Sequence, residues 1–390
     1  MSNPNQHDSF TPLLPLSNER PRNNKVHLRR LKMKENFNMT KNMTAFMKVR
    51  PEPGGVVFQE WKVPDVGPED VLIEVKAAGL CGTDLHVYDW PENIVREYKP
   101  KLPLVMGHEF AGVVVQAGPR VKNVKVGDRV TAMPVLYCED CYFCRDGKEN
   151  ICDNRPILGI GAQGAFAQYI SIRSRNVYRL DEQISFELGA MSELTCVGLH
   201  ALDRARLTGG DVVAVVGAGP LGLMMTIMAK HFGATRVFTT GLEADRGRLE
   251  IVRKIGAIPI IVDREDPKKP ILEGTGGLGA DVVFETAGAG AGVLQCLDVV
   301  RKGGRVGILG QGHEAAEIQT AILSFREIEL IGTRAYTPKE WRRVSAALLK
   351  AEEDLSQMIT HRLPLSRTEE GIRLMKSREG LKIILFPQEA

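Results

Sequence analysis

Four cysteines lie close together in one short segment, at Cys138, Cys141, Cys144 and Cys152. Thiolates spaced two residues apart on a turn can converge on one tetrahedral ion, and zinc is the usual occupant of an all-sulfur tetrahedral site. An iron–sulfur cluster is the alternative, but the ferredoxin pattern has a shorter last spacer and a proline after the final cysteine. Because four sulfur ligands leave no open coordination position, such a site would brace a loop and do no chemistry.

A second candidate metal site involves Cys81, in the segment Cys-Gly-Thr-Asp-Leu-His that follows the strand-like residues 71–75, and the adjacent His108 and Glu109. Adjacent side chains on an extended segment point to opposite faces, so both can be ligands only where the chain turns. The flanking Gly107 and Gly112 permit such a turn. Taken alone, the pair is equally consistent with a hydrogen-bonded histidine at the start of a strand.

A glycine-rich segment, Gly-Ala-Gly-Pro-Leu-Gly at 217–222, joins an apolar run at 212–216 to a helix-like stretch at 223–232. A GxGxxG pattern alone is common, and its plain interpretation is a tight strand–helix turn. Strand, glycine turn and helix together are typical of a dinucleotide site, where glycines let the backbone approach the pyrophosphate at a helix N-terminus.

Further strand candidates follow this segment and alternate with helix-like spacers; they lie at residues 237–239, 258–262, 281–284, 305–309 and 328–331. Continuous apolar strands of this kind are buried on both faces, as in parallel sheets. The alternation predicts an α/β fold with a doubly wound parallel sheet.

The bulk composition is that of a globular protein, with 390 residues, 43% hydrophobic and 25% charged, and a net charge of +3. No apolar run reaches the length of a membrane span, so we expect no membrane partner. Residues 1–42 carry eight basic and three acidic side chains, or +5, so the rest of the chain is slightly acidic and gives no reason to expect nucleic-acid binding. Seven cysteines, five of them candidate ligands, favour the cytoplasm over a disulfide framework.

The N-terminal segment 1–42 is rich in Asn, Pro, Lys and Arg and lacks periodicity, so we expect a disordered basic tail. A mitochondrial presequence is poorly supported, since Asp8, Glu19 and Glu35 interrupt it. A start site assigned too far upstream is another explanation, because Met39 and Met43 lie close to the first strand-like segment.

The run from Gly107 to Val121 has the pattern G-H-E-x2-G-x5-G-x2-V, and C-G-T-D-x-H precedes it. With the four-cysteine segment in its expected place, the chain from about Met43 onward resembles the zinc-containing medium-chain alcohol dehydrogenase superfamily. Within that superfamily it is most similar to the threonine and polyol dehydrogenases, on the segments around Cys81 and Thr360-His361-Arg362.

The resemblance implies two zinc ions per chain, a structural one at the four cysteines and a catalytic one held by Cys81, His108 and Glu109. Glu193 occupies a further ligand position and would contact this zinc directly or through water. Zinc would act as a Lewis acid on the substrate hydroxyl while hydride passes to a nicotinamide. Thr83 and His86 would relay the proton to the surface, where a pKa near neutral suits histidine.

The same resemblance implies a set of cofactor contacts, namely Gly217, Gly219, Leu221, Gly222, Arg248, Leu309, Gly310, Gln311, Thr333 and Arg334. NAD enzymes place an acid at the end of the second strand, which binds a ribose hydroxyl and repels a 2'-phosphate. Here Gly241 stands at that end and Glu243 and Asp245 follow. The two carboxylates favour NAD, with NADP as the alternative should an arginine pair with the phosphate.

The domain organisation implied is a GroES-like, mainly β catalytic domain built from 43–195 and 336–390, with a Rossmann nucleotide domain at 196–335 inserted between them. The active site would lie in the cleft between the domains. Relatives of this kind are commonly tetramers, so we expect a homo-oligomer, either a tetramer or a dimer.

The predicted substrate is a small secondary alcohol or polyol, oxidised with transfer of hydride to the nicotinamide. The alternative is L-threonine or another hydroxy acid, although threonine dehydrogenases carry a histidine where this chain has Val135. A hypothesis of another class is a zinc- and nucleotide-binding regulatory protein without catalysis. Two zinc ions per chain would favour the enzyme, and one at the cysteines would favour the regulator.

Overall fold

The computed structural model describes residues 42–312 and 314–389. The predicted disordered tail, residues 1–42, lies outside the described residues apart from Asn42. The strands are β1 (Asn42–Lys48), β2 (Val56–Lys62), β3 (Asp70–Leu80), β4 (Leu104–Val105), β5 (Glu109–Ala117), β6 (Arg129–Ala132), β7 (Tyr169–Arg173), β8 (Val177–Arg179), β9 (Val212–Val216), β10 (Arg236–Gly241), β11 (Ile258–Ile261), β12 (Ala280–Glu285), β13 (Val300–Ile308), β14 (Glu329–Gly332), β15 (Ile359–Pro364) and β16 (Lys382–Phe386).

The α-helices of the same residues connect and cover these strands. They are α1 (Gly82–Asp89), α2 (Glu92–Tyr98), α3 (Tyr142–Arg145), α4 (Phe186–Ala190), α5 (Ser192–Arg204), α6 (Pro220–His231), α7 (Arg246–Lys254), α8 (Lys268–Glu273), α9 (Gly290–Val299), α10 (Ala321–Arg326), α11 (Pro338–Trp341), α12 (Val344–Lys350), α13 (Glu352–Ser356) and α14 (Thr368–Lys376).

The predicted doubly wound sheet has six parallel strands in the order β11-β10-β9-β12-β13-β14. Alternate residues of β9 enter different cores: Val213 and Val215 pack with α5 and α6, whereas Ala214 and Val216 pack on the other face with α9. Burial on both faces explains why these strands read as continuous apolar runs. Because the strands are parallel, their carboxyl ends meet at one edge, where a cofactor binds in folds of this kind.

The remaining strands form two further sheets. A seven-stranded sheet has the order β15-β16-β3-β5-β6-β8, with β7 also pairing with β3, and a three-stranded sheet has the order β2-β1-β4. The long β3 pairs with β5, β7 and β16, so the C-terminal strand of the chain lies beside the strand that leads to Cys81. This pairing brings residues from both ends of the described chain to one site. None of the described helices is long and apolar enough to cross a membrane.

Candidate active site

One candidate metal site joins Cys81, His108 and Glu109, whose ligand atoms lie within 4.8 Å of one another. Cys81 is the N-cap of α1, directly after β3, and His108 and Glu109 stand at the start of β5, which pairs with β3. The structure therefore brings Cys81 together with His108 and Glu109, which follow it by 27 and 28 positions in the sequence. Their role as zinc ligands stays a prediction.

Gly107 explains why two adjacent side chains can reach one point. Its φ is +86°, a left-handed conformation that redirects the chain just before His108. A Cβ at this position would lie 2.1 Å from the ring of Phe166, so no larger residue fits. The turn that the flanking glycines permitted is present at Gly107, and the ligand atoms of both His108 and Glu109 reach one site.

Asp84 links two of the candidate ligands. One of its carboxylate oxygens accepts a hydrogen bond of 2.9 Å from the Cys81 backbone N–H, and the other lies 3.4 Å from Nδ1 of His108. Burial by itself lowers the pKa of His108, but the charges of Asp84 and Cys81 outweigh it and hold the pKa well above its usual range. A carboxylate on one ring nitrogen orients an imidazole and leaves the other nitrogen for a metal.

One carboxylate oxygen of Glu109 is free to bind a cation. Its Oε1 is buried and has no hydrogen-bond partner among the described residues, whereas Oε2 pairs with the ammonium group of Lys382. Buried carboxylate oxygens are almost always bonded, so one without a partner needs an explanation. Sulfur, imidazole and carboxylate donors around such an atom fit a zinc ion.

The predicted relay residues lie on α1. The hydroxyl of Thr83 is 3.7 Å from Sγ of Cys81, and Thr83 is half-buried. His86, one helical turn further, is exposed. A proton relay needs a group that takes up the proton near the metal ligands and a group that releases it at the surface. The Thr83 hydroxyl beside Cys81 and the exposed His86 imidazole are placed for these two steps.

Glu193 lies beside the Cys81–His108–Glu109 group, in the first turn of α5. Burial raises the pKa of its carboxyl, and the charge of Glu109 adds to this effect, while His108, Tyr336 and Lys382 oppose it. Tyr336 is buried and forms a side-chain hydrogen bond with Glu193. A carboxyl with a raised pKa in a cleft is suited to exchange a proton with a substrate.

The other candidate metal site is the four-cysteine loop, whose sulfur atoms all lie within 4.8 Å of one another. Sγ of Cys138 is 3.4 Å from that of Cys152 and 3.9 Å from that of Cys144. Backbone N–H groups of Cys144 and Asp153 lower the pKa of Cys141 to about 6, which favours its thiolate. Four converging sulfurs without a disulfide between them fit the predicted structural zinc.

The glycine-rich loop has the geometry of a phosphate-binding turn. Gly217 has a φ of +111°, and a Cβ on Gly222 would lie 1.8 Å from the carbonyl oxygen of Gly217, so both positions require glycine. A Cβ on Gly219, the N-cap of the twelve-residue α6, would meet nothing within 4 Å. Gly219 thus borders the open space in which a pyrophosphate can approach the helix N-terminus.

The other predicted cofactor contacts lie at the same edge of the parallel sheet. Leu221 is in the first turn of α6, Leu309, Gly310 and Gln311 follow β13, and Thr333 and Arg334 follow β14. Arg248 lies on α7 after β10, where its Nη1 is 3.4 Å from Asp245. These positions follow from the strand order of the parallel sheet, and the contacts of the residues with a cofactor stay predictions.

Two family models match this chain. Residues 67–182 match the alcohol dehydrogenase GroES-like domain, and residues 220–350 match the zinc-binding dehydrogenase domain. The chain belongs to the zinc-containing medium-chain alcohol dehydrogenase superfamily. The predicted family and fold class are confirmed, and so is the prediction of an enzyme that oxidises CH–OH groups.

Similar proteins include an L-threonine 3-dehydrogenase of Bacillus licheniformis, 36% identical over 90% of this chain and 100% of the relative. A sorbitol dehydrogenase of Halalkalibacterium halodurans is 33% identical over 88% of this chain and 99% of the relative. Among solved structures, a putative zinc-binding dehydrogenase from Sinorhizobium meliloti bound to NADP has a TM-score of 0.80 and 29% identity, covering 89% of this chain and 100% of that one. The dehydrogenase therefore uses zinc and a nicotinamide cofactor.

Sequence reasoning missed three residues of this dehydrogenase's site: Asp84, Tyr336 and Lys382. Asp84 was part of a quoted motif but had no assigned role. Lys382 could have been noticed, since it is the only charged residue of the apolar strand β16. Nothing in the sequence identified Glu109 as its partner. Tyr336 carried no signal in the sequence.

Proposed function

We propose that this dehydrogenase oxidises a secondary alcohol or polyol to the ketone and transfers the hydride to NAD. The convergence of Cys81, His108 and Glu109, beside Glu193 with its raised pKa, is the observation that carries the proposal. An open metal site with three protein ligands is typical of catalytic zinc, whereas a closed four-cysteine site is typical of structural zinc.

Bound at the three ligands, zinc supplies the Lewis acidity that makes a substrate hydroxyl easier to deprotonate. The chain's own residues then move the proton. The hydroxyl of Thr83, beside Cys81, receives the substrate proton, and the exposed His86 passes it to solvent. Glu193, which lies beside the same three ligands, holds or accepts a proton, and its hydrogen bond with Tyr336 fixes the carboxyl in place. The ammonium group of Lys382 pairs with the Glu109 carboxylate and compensates its buried charge.

The preference for NAD is supported by Asp245, which takes the place of the acid missing at the end of β10. A Cβ on Gly241 would lie 3.3 Å from the Cβ of Asp245 and 2.9 Å from that of Ala218, so Asp245 packs directly against the strand end. Its Oδ2 accepts a 3.2 Å hydrogen bond from the backbone N–H of Leu242, which fixes the carboxylate there. A carboxylate at this place can accept a hydrogen bond from a ribose hydroxyl, while Arg248 and Arg378 approach its Oδ1 at 3.4 and 3.5 Å and compensate its charge.

L-Threonine is the second candidate substrate, since a relative 36% identical to this chain is an L-threonine 3-dehydrogenase. Against it stands Val135, where threonine dehydrogenases carry a histidine. Val135 is 1% exposed and its carbonyl accepts a 2.9 Å hydrogen bond from Asn176, so this position packs in the core and offers no polar group to a substrate.

We also propose that the chain is divided into a catalytic domain at 43–195 and 336–390 and a nucleotide domain at 196–335. We propose further that the enzyme is a homo-oligomer of four or two chains and lies in the cytoplasm. The division is supported by the separate sheets, since β9 to β14 form one and the earlier and later strands form the others. The location is supported by seven free cysteines, which suit a reducing compartment.

Zinc-loaded enzyme should be assayed with sorbitol, butanediol, isopropanol and L-threonine, each with NAD and with NADP, by the absorbance of the reduced nicotinamide. We expect kcat/KM for a neutral alcohol to exceed that for L-threonine by at least about tenfold, and NAD to be preferred. A higher kcat/KM with L-threonine would assign the second candidate instead. Asp245→Ser should raise the kcat/KM with NADP, and an unchanged cofactor ratio would remove Asp245 from cofactor selection.

A further inference from the structure

Lys48, the last residue of β1, has a fully buried side chain, and no carboxylate among the described residues pairs with its ammonium group. A buried charge is costly because it loses its hydration, and proteins tolerate one only where it is paired or fully hydrogen-bonded. Neither the metal ligands nor the relay residues account for a cation at this place.

Three backbone carbonyl groups bind the ammonium group of Lys48. Their oxygen atoms belong to Glu52, at 2.5 Å, and to Gly54 and Tyr88, both at 2.7 Å. The ring of Trp90 lies 5.3 Å from the same nitrogen, within the range of a cation–π contact. Because an ammonium group has three N–H donors, all of them are used and the group is held in one position.

Lys48 keeps most of its charge near neutral pH. Burial lowers its pKa to about 8, while the charges of Asp89 and Glu52 oppose this effect and that of Arg50 adds to it. The cation faces the C-terminal end of α1, where the helix dipole places partial negative charge. The ammonium group is therefore suited to bind the end of this helix.

The contacts of Lys48 join two parts of the chain. Glu52 and Gly54 lie in the loop between β1 and β2, whereas Tyr88 lies in the last turn of α1. The backbone N–H of Gly54 donates a further 3.1 Å hydrogen bond to the carbonyl of Tyr88. Lys48 thus ties the end of α1 to the β1–β2 loop.

Trp90, which ends α1, adopts a strained conformation against the same ammonium group. Its φ is +54°, a left-handed value that is uncommon for a bulky residue. Its backbone N–H donates a 2.9 Å hydrogen bond to the carbonyl of His86. The surroundings of Lys48 therefore include the turn of α1 that carries a predicted relay residue.

The helix α1 has few other contacts that hold its last turn. Of its eight residues only Asp84 and Val87 are buried, and Asp84 belongs to the first turn. Asp89 pairs with Lys376, but both side chains are more than 40% exposed, and surface pairs of this kind contribute little. Short helices are marginal in water without such support. Besides Val87, Lys48 provides the buried contact of the last turn.

We propose that Lys48 is a positioning residue for the proton relay, which holds the last turn of α1, and with it His86, in a fixed place relative to Thr83. This inference rests on the proposed function, because it assumes that the relay moves the substrate proton. Lys48 touches neither substrate nor cofactor in this scheme and acts through His86 alone.

The competing interpretation is a structural brace, in which Lys48 orders only the loop between β1 and β2. Both interpretations predict a lower melting temperature for Lys48→Gln, which loses the charge and shortens the side chain. They differ in their effect on proton transfer. A positioning residue lowers kcat through His86, whereas a brace leaves kcat unchanged.

The first test is the pH profile of kcat for Lys48→Gln. We expect about a tenfold loss below neutral pH, with KM for the alcohol and for NAD within about twofold of the wild type. Added imidazole should restore most of the loss, because it accepts the proton in place of a displaced His86. Lys62→Gln is the matched control, since Lys62 on β2 pairs with Asp65 at the surface. An unchanged kcat, or an equal loss at every pH that imidazole does not restore, would overturn the proposal.

A double-mutant cycle with His86→Ala isolates the coupling. If Lys48 acts through His86, Lys48→Gln should lower kcat by less than about twofold in the His86→Ala background. Lys48→Arg keeps the charge and the donors, so it should retain more of kcat than Lys48→Gln. A loss of the same size in both backgrounds would show that Lys48 does not act through the relay.

Hydrogen exchange tests the positioning without turnover. If the wild-type protein oxidises no alcohol, the proposed function fails, but the amides of residues 86–90 should still exchange about tenfold faster in Lys48→Gln than in Lys62→Gln. The measurement is mass spectrometry of peptides from the deuterated proteins. Faster exchange confined to residues 50–55 would identify Lys48 as a brace of the loop and overturn the inference on its own.

Trp90→Leu is the second variant, used if Lys48→Gln does not fold. It removes the ring that faces the ammonium group and leaves the three carbonyl groups in place. Both the loss of kcat below neutral pH and the faster exchange at residues 86–90 are expected, each by about threefold. If neither change is found, Lys48 does not position the relay.

Discussion

The ammonium group of Lys382 and the carboxylate of Glu109 form an ion pair in which the side chains are 1% and 0% exposed. The charge of Glu109 and burial act on the lysine in opposite directions, and its pKa is raised overall. The pair joins the first residue of β16 to the first residue of β5, on either side of β3. It therefore couples the C-terminal strand to a candidate zinc ligand.

Lys382→Met should leave the Glu109 charge buried and unpaired, and we expect a loss of roughly 3–5 kcal/mol in the free energy of unfolding. The loss should be largest in metal-free protein, since a bound cation neutralises the same carboxylate. Lys376→Met is the control, because Lys376 pairs with Asp89 at the surface and such pairs contribute about 1 kcal/mol or less. Equal melting temperatures for the two variants would show that Lys382 does not compensate Glu109.

Cys81→Ser and Cys141→Ser should separate the two metal sites. Cys81→Ser should abolish turnover, with one zinc ion per chain retained and the melting temperature close to that of the wild type. Cys141→Ser should lower the melting temperature, because structural zinc couples its binding energy to folding. The readouts are metal content, turnover and thermal melting. If both variants melt alike and lose the same metal, the assignment of a catalytic and a structural site is wrong.

Gly219→Ala and Gly222→Ala offer a matched pair in the glycine-rich loop. A methyl group at Gly219 enters open space, so the fold should be unaffected while the affinity for the cofactor falls about tenfold or more. A methyl group at Gly222 meets the Gly217 carbonyl at 1.8 Å, so the protein itself should be destabilised. Cofactor titration by fluorescence and thermal melting distinguish the two effects. Unchanged cofactor affinity in Gly219→Ala would place the pyrophosphate elsewhere.

The sequence predicted the features of this enzyme that depend on local spacing. Each of these features lies within a short stretch of chain, where the hydrophobic periodicity and the residue types determine the local structure. They are the individual strands β9 to β14, the glycine turn at 217–222 and the four-cysteine loop. The start of β13 differs from the predicted one. β13 begins at Val300, before the predicted residue 305, because Val300 pairs with Ala280 of β12 and a register shift separates this pair from the regular pairing that starts at Arg305.

Contacts between distant segments could not be predicted in the same way. Lys382 and Glu109 are 273 positions apart, and Arg334 and Glu97 are 237 apart. Such pairs depend on which strands become neighbours, and a single sequence gives no measure of that. The charged residues involved look like ordinary surface side chains until the sheets are assembled.

His86→Ala tests the proton relay. The exposed imidazole accepts a proton that reaches it from the region of Thr83, so its loss should slow turnover mainly below neutral pH, where solvent hydroxide is scarce. We expect about a tenfold lower kcat there and a smaller effect in alkaline solution. The measurement is kcat as a function of pH for both proteins. A profile parallel to that of the wild type would remove His86 from the relay.

Glu340 provides a prediction about pH and stability. Burial alone would raise its pKa, but His200, whose Nδ1 lies 3.5 Å away, and two hydrogen bonds from Thr337 outweigh this and hold the pKa at about 2, below the usual 4.5. Between these values the unfolded chain binds more protons than the folded one, so the stabilisation is complete above pH 4.5 and is lost as the pH falls toward 2. The side chain is only 2% exposed, so little of the effect is screened by solvent.

Glu340→Gln should therefore cost about 3 kcal/mol near neutral pH, and the difference from the wild type should shrink steadily below pH 4.5. Chemical unfolding of both proteins between neutral and acidic pH measures it. Glu353→Gln is a suitable control, because its exposed side chain should make no comparable difference at any pH. A gap between Glu340→Gln and wild type that stays constant down to the acid limit would mean that hydrogen-bond geometry, and not the charge on Glu340, stabilises this part of the fold.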